Sequence, residues 1–139
     1  MALDLSSLQK AVSSLQRAIK VANRMIKGEV DTDEEEVIRA GVIQNFEFTY
    51  ELSWKFIKRW LEENVSGGAT DGLTRKELFR LAAESQLIDD VEAWFGYHDA
   101  RNDTAHTYDH KKAGEVYDAA VRFIKDAQSL LKILEARND

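Results

Sequence analysis

Apolar side chains recur at alternating steps of three and four through LSSLQKAVSSLQRAIKVANRMI, at Leu5, Leu8, Val12, Leu15, Ile19, Ala22 and Ile26. That spacing gathers them on one side of an α-helix, so residues 4 to 27 read as a long amphipathic helix with a narrow apolar seam. Nothing in the 139-residue chain breaks such a pattern from within, because it contains no proline. Gly28 is the expected terminator, placed just past the C-cap.

The same period continues downstream. Thr32-Asp33-Glu34-Glu35 spells a capping box, with acids at the positive end of the helix dipole, and opens a helix running to about Asn64. It carries two apolar stripes: Ile43, Tyr50, Trp54, Ile57 and Leu61, and Val42, Phe46, Phe56 and Trp60. So wide a buried arc marks either the central helix or a face turned to a second subunit, and it is the basis for expecting a homodimer. Ser66 to Gly72 is a glycine-dense linker, expected to be mobile and without the look of a phosphate cradle. Thr74-Arg75-Lys76-Glu77, a second capping box, starts a short helix to about Ser85. From Val91, the residues Trp94, Phe95, His98, Arg101 and Ala105 follow one helical face. Asp109 is the expected N-cap of a last helix with Val116, Ala120, Phe123, Ala127, Leu130 and Leu134 as its core. No stretch alternates with a period of two. The expected fold is all-α: an antiparallel up-and-down four-helix bundle with one additional short helix, a single domain over 1–139.

Composition narrows the function. Nineteen basic against 25 acidic residues give a net charge of −6, the wrong sign for general attraction to phosphate backbones, so any nucleic-acid role must be local. There is no cysteine, no secretory signal after Met1 and no apolar run approaching a membrane span, and a cytoplasmic protein is expected.

The chemistry concentrates in RNDTAHTYDH, residues 101–110, which holds two of the chain's three histidines. On a straight helix Asn102 lies one turn below His106 and can orient its imidazole. Arg101 is turned about 140° away from His106 around the same axis. One straight helix therefore cannot aim both at a single atom. Either the helix ends before His106 and the chain turns, or the site is composite and uses a second copy of the chain. Two copies would supply two histidines for general acid and base work and two arginines for a pentacovalent phosphate, without metal.

Arg101-x4-His106-x-Tyr108 resembles the RX4HXY motif of HEPN-domain toxins. FEFTYELSWK, residues 46–55, is similar to the signature of the nucleotidyltransferase-substrate-binding, HepT-like subfamily. The resemblance spans nearly the whole chain. It implies a helical dimer paired, as toxin to antitoxin, with a minimal nucleotidyltransferase. It also implies a ribonuclease needing neither metal nor cofactor, with Arg101 and His106 catalytic and Asn102 assisting. By position, the partner would adenylylate Tyr108 and silence the toxin.

Other readings of the same residues stay open. An Arg–His pair at a helix end also serves as a cap or ion-pair arrangement. His106 and His110, four apart, would suit a metal only on a continuous helix, which Asp109 interrupts, and no thiolate is available. His98, on an apolar face, reads as a satisfied core or interface histidine or as a residue lining the site. Glu47 falls within an apolar stripe and must be paired, with a basic group such as Arg101, or else act directly. The tryptophans read as core or interface filling before base stacking. Two functions remain: a ribonuclease toxin restrained by its partner, or a non-catalytic subunit that presents substrate to a nucleotidyltransferase.

Overall fold

The computed structural model describes residues 2–138, so the outermost residue at each end of the 1–139 domain reading lies outside it. Five α-helices follow in order: α1 (Ser6–Met25), α2 (Asp33–Asn64), α3 (Arg75–Glu84), α4 (Val91–Asp103) and α5 (His110–Ala136). A single 3-10 turn, Thr104–His106, joins α4 to α5. Among the described residues there is no strand, and none of the helices is long and apolar enough to cross a membrane.

Both capping boxes form as their sequences dictate. The Thr32 hydroxyl accepts from the Glu35 amide at 3.1 Å while the Glu35 carboxylate takes the Thr32 amide at 3.2 Å. Thr74 and Glu77 repeat the exchange at 3.2 and 2.9 Å. The Asp109 carboxylate accepts from the amides of Lys111 and Lys112, fixing where α5 begins. Each box satisfies two amide donors that a helix start leaves open.

The terminators differ from expectation. α1 stops at Met25 with Ile26 as an extended C-cap, and Gly28 is not left-handed. The left-handed C′ residue belongs instead to α3, where Gln86 sits at φ 62°. There the Leu87 amide reaches the Ala82 carbonyl at 2.9 Å and the Gln86 amide reaches Ala83 at 3.0 Å. That is the paired bonding of a Schellman motif, built without glycine. The 66–72 linker is a run of hydrogen-bonded turns, pinned by buried Thr70, which donates to Glu62 at 2.6 Å.

The α1 seam from Leu5 to Ala22 is buried against α2 and α5. α2 packs against all four other helices, and the core side chains of both its stripes are buried within this one chain; only Trp54 and Trp60 stay partly open. The width of its arc is therefore accounted for by its central position and does not by itself require a second subunit. On α4 the core face is Trp94, Tyr97 and Ala100, whereas Phe95, His98 and Arg101 lie half-buried on a neighbouring face. Phe123 of α5 stands edge-on to Trp94 at 5.4 Å and to Tyr97 at 4.9 Å, and also meets Phe46 of α2 at 5.3 Å. This aromatic cluster fixes α4 against α2 and α5 and so sets where the residues after Ala100 emerge.

Candidate functional site

α4 ends at Asp103, three residues before His106. Thr104 causes the change: its hydroxyl donates to the Arg101 carbonyl at 2.8 Å and accepts from the Arg101 guanidinium at 3.1 Å, closing the last turn on itself. Thr107 then donates to the Thr104 carbonyl at 3.1 Å, and the Asp109 amide to that of His106 at 3.1 Å. The straight-helix alignment of Asn102 beneath His106 is thereby broken, and Asn102 is exposed. Of the two geometries the sequence left open, the chain does turn before His106. His106 and Tyr108 project outward together, ring centroids 6.3 Å apart and nearly perpendicular, with Tyr108 88% exposed.

Arg101 points back over α2. Its Nε donates to Glu51 Oε1 at 3.0 Å, and its Nη1 lies 3.9 Å from Glu47 Oε2. Glu47 thus has the partner expected for it. Glu51, one helical turn on, is nearer and also accepts from Trp54 Nε1 at 3.0 Å. Trp54 in turn lies under the Arg75 guanidinium at 3.4 Å, a cation–π stack joining α3 to this surface. Trp94 is fully buried in the core. Trp60 is mostly covered, its indole N–H buried without a partner.

His98 is the satisfied histidine anticipated for it: its Nδ1 lies 2.9 Å from the Tyr50 hydroxyl. Burial, reinforced by Arg75 and Lys76, holds its pKa below the ordinary histidine value, although Asp99 and Glu51 pull the other way. Tyr50 is pushed up to about 12, chiefly by burial. Both stay neutral near pH 7, and their bond ties α4 to α2.

Beside Tyr108 a groove of about 540 Å³ runs between α2 and the start of α5, lined by Arg39, Ile43, Glu47, Thr107, Tyr108 and His110 among others. Arg39, which belongs to no motif in the sequence, is only 8% exposed. A signal for it exists all the same, because it shares the apolar face with Val42, Ile43 and Phe46, where a cation needs explaining. Among the described residues no three His, Cys, Asp or Glu side chains converge on one point in the manner of a metal site.

A family model described as "Nucleotidyltransferase substrate binding protein like" matches residues 3–136. The chain belongs to this family. Its kinship within the family runs the full length: it is 36% identical to a Haemophilus influenzae protein named "Probable ribonuclease HepT", over 98% of this chain and 94% of that one. A solved Haemophilus influenzae structure, described as the substrate binding domain of a nucleotidyltransferase, superposes with a TM-score of 0.85 at 34% identity. The match covers 95% of this chain and 99% of the other. A Thermus thermophilus protein of the same shape gives 0.73 at 27% identity, covering 91% and 98%. The RX4HXY residues of this family member therefore sit on an all-α frame shared end to end with its relatives.

Proposed function

We propose that the protein is a metal-independent endoribonuclease toxin, acting as a homodimer and neutralised by a minimal nucleotidyltransferase partner. The observation that carries this reading is the turn at Thr104, which leaves His106 exposed for proton transfer while Arg101 is anchored one turn earlier. The name of the 36%-identical relative, a probable ribonuclease, supports it.

The chemistry needs two copies of the turn. The ribose 2′-oxygen attacks the adjacent phosphorus as its proton passes to His106 of one copy. The P–O5′ bond breaks, and the leaving 5′-oxygen takes a proton from the imidazolium of the second copy's His106. Arg101 neutralises charge on the pentacovalent phosphate and Asn102 assists as a polar contact. Exposed Val37 and Phe48 on α2, 71% and 66% exposed and about three turns apart on the same side, support pairing through that helix. Tyr108 is the modification site. Its phenol gives up its proton to solvent as the oxygen bonds to the α-phosphorus of ATP, the bond to pyrophosphate breaks, and the attached AMP blocks the groove.

A second reading has its own support. Arg101 is already held by Glu51 and Glu47, which suits a structural ion pair, and one solved relative is described as a substrate binding domain. In that case the chain is a non-catalytic subunit presenting substrate to a nucleotidyltransferase.

Cleavage of a labelled RNA in excess chelator separates them. His106→Ala and Arg101→Ala should each abolish cleavage and growth toxicity with folding intact. Co-expression with the nucleotidyltransferase should add AMP to wild type but not to Tyr108→Phe, as read by intact mass. Cleavage that survives both alanine substitutions, or that requires a divalent metal, eliminates the catalytic assignment.

A further inference from the structure

Arg39 is only 8% exposed as a residue, and among the described residues no carboxylate lies within ion-pair distance of it. Its one side-chain hydrogen bond runs from Nη2 to His110 Nδ1 at 3.2 Å, 71 residues along the chain. A guanidinium only donates, so in this contact the ring nitrogen is the acceptor. That one acceptor leaves the guanidinium's remaining N–H donors without a partner in the protein, and an anionic oxygen is the ligand that matches them best. Its other N–H groups are not buried, and the residue lines both the groove beside Tyr108 and a second one of about 390 Å³ beside Tyr117.

The rest of the groove beside Tyr108 offers room and an apolar wall. Its volume of about 540 Å³ falls in the range of small-molecule sites, and Ala40, Ile43 and Ala113 give it an apolar wall. The carboxylates on the lining are Glu36, which is exposed, and Glu47, which faces Arg101 at 3.9 Å. Neither is within ion-pair reach of Arg39. Thr107 and the exposed Tyr108 stand at the rim.

We infer that Arg39 and His110 form a phosphate subsite one nucleotide wide, taking a nucleoside monophosphate with its base against Ala40, Ile43 and Ala113. Two sources present that chemistry: a nucleotide attached to Tyr108, and a nucleotide of bound RNA. The inference rests on the proposed function only for the kind of ligand; the argument from Arg39's unpartnered donors does not depend on cleavage.

The test is calorimetric titration of the full-length protein with 5′-AMP, and separately with a 2′-O-methyl oligoribonucleotide that cannot be cleaved. Arg39→Met should lower AMP affinity at least about tenfold, as expected for losing a charge-assisted bond to phosphate. It should leave the melting temperature nearly unchanged, since the bond lost within the protein is the one to exposed His110. His110→Ala, at an exposed position, should weaken binding several-fold. Binding of AMP alone assigns the groove to the modifying nucleotide; displacement of AMP by the oligonucleotide assigns it to RNA. No binding of either probe by wild type overturns the inference, as does equal affinity in Arg39→Met. So does a melting temperature in Arg39→Met that falls by several degrees with AMP affinity intact. Loss of RNA cleavage in His106→Ala is a separate readout, so the subsite and the catalytic assignment fail independently.

Discussion

Removing Glu51 should uncouple Arg101 from α2, and the size of the effect follows from the geometry. The pair makes one direct charge-assisted bond of 3.0 Å between side chains each 33% exposed. Fully exposed pairs contribute roughly 0.2–1 kcal/mol and hydrogen bonds to charged groups roughly 1.5–3 kcal/mol. Exposure of a third places this pair between those limits, at about 1 kcal/mol. Glu47, at 3.9 Å, adds only a screened attraction. Arg101→Ala alone should cost more, about 2 kcal/mol, because it also removes the bond to Thr104 and leaves two carboxylates facing each other without their cation. Urea unfolding of wild type, Glu51→Ala, Arg101→Ala and the double variant at one fixed protein concentration closes a double-mutant cycle. The coupling should be about 1 kcal/mol in 0.1 M salt. It should keep most of that value in 1 M salt, because a direct 3.0 Å bond does not exceed the distance over which salt screens, while the Arg101–Glu47 attraction cancels from the cycle. A coupling within about 0.3 kcal/mol of zero would refute the argument, since Arg101 would then be free of α2 in solution.

Three further outcomes are expected. His98 binds its proton less readily folded than unfolded, so the unfolded chain takes up more protons as the pH drops. Stability should therefore fall as pH drops below about 6.5, and in His98→Gln that part of the slope should vanish in urea titrations across pH 5 to 8. Gln86→Gly should raise stability by about 0.5–1 kcal/mol, because relief of the left-handed strain at φ 62° exceeds the extra unfolded-state entropy; an unchanged midpoint would contradict this. Phe48→Asp should shift the proposed homodimer toward monomer by light scattering at micromolar concentration, leaving the helical circular dichroism intact because Phe48 lies outside the core.

Features coded by neighbours within one or two turns are legible in the sequence itself. The α1 seam, the capping boxes at Thr32 and Thr74, the Asp109 cap and the α5 core all depend on side chains a few residues apart. Geometry at that range is the same in every helix, so spacing alone suffices. The motif at Arg101, His106 and Tyr108 is legible for the same reason, as a short string. What it does in space is not. The bend after Asp103 depends on Thr104 bonding Arg101 twice, while straight-helix geometry would have carried α4 on through His106. Glu51 rather than Glu47 becomes the near partner of Arg101 because packing of Phe123 against Trp94, Tyr97 and Phe46 sets how α4 lies on α2, 50 residues away in sequence. Arg39 meets His110 only because the start of α5 is folded onto the first turns of α2. Spacing within a helix determines which side chains share its face; which face another helix brings against them is decided by tertiary packing, because that depends on every core volume at once.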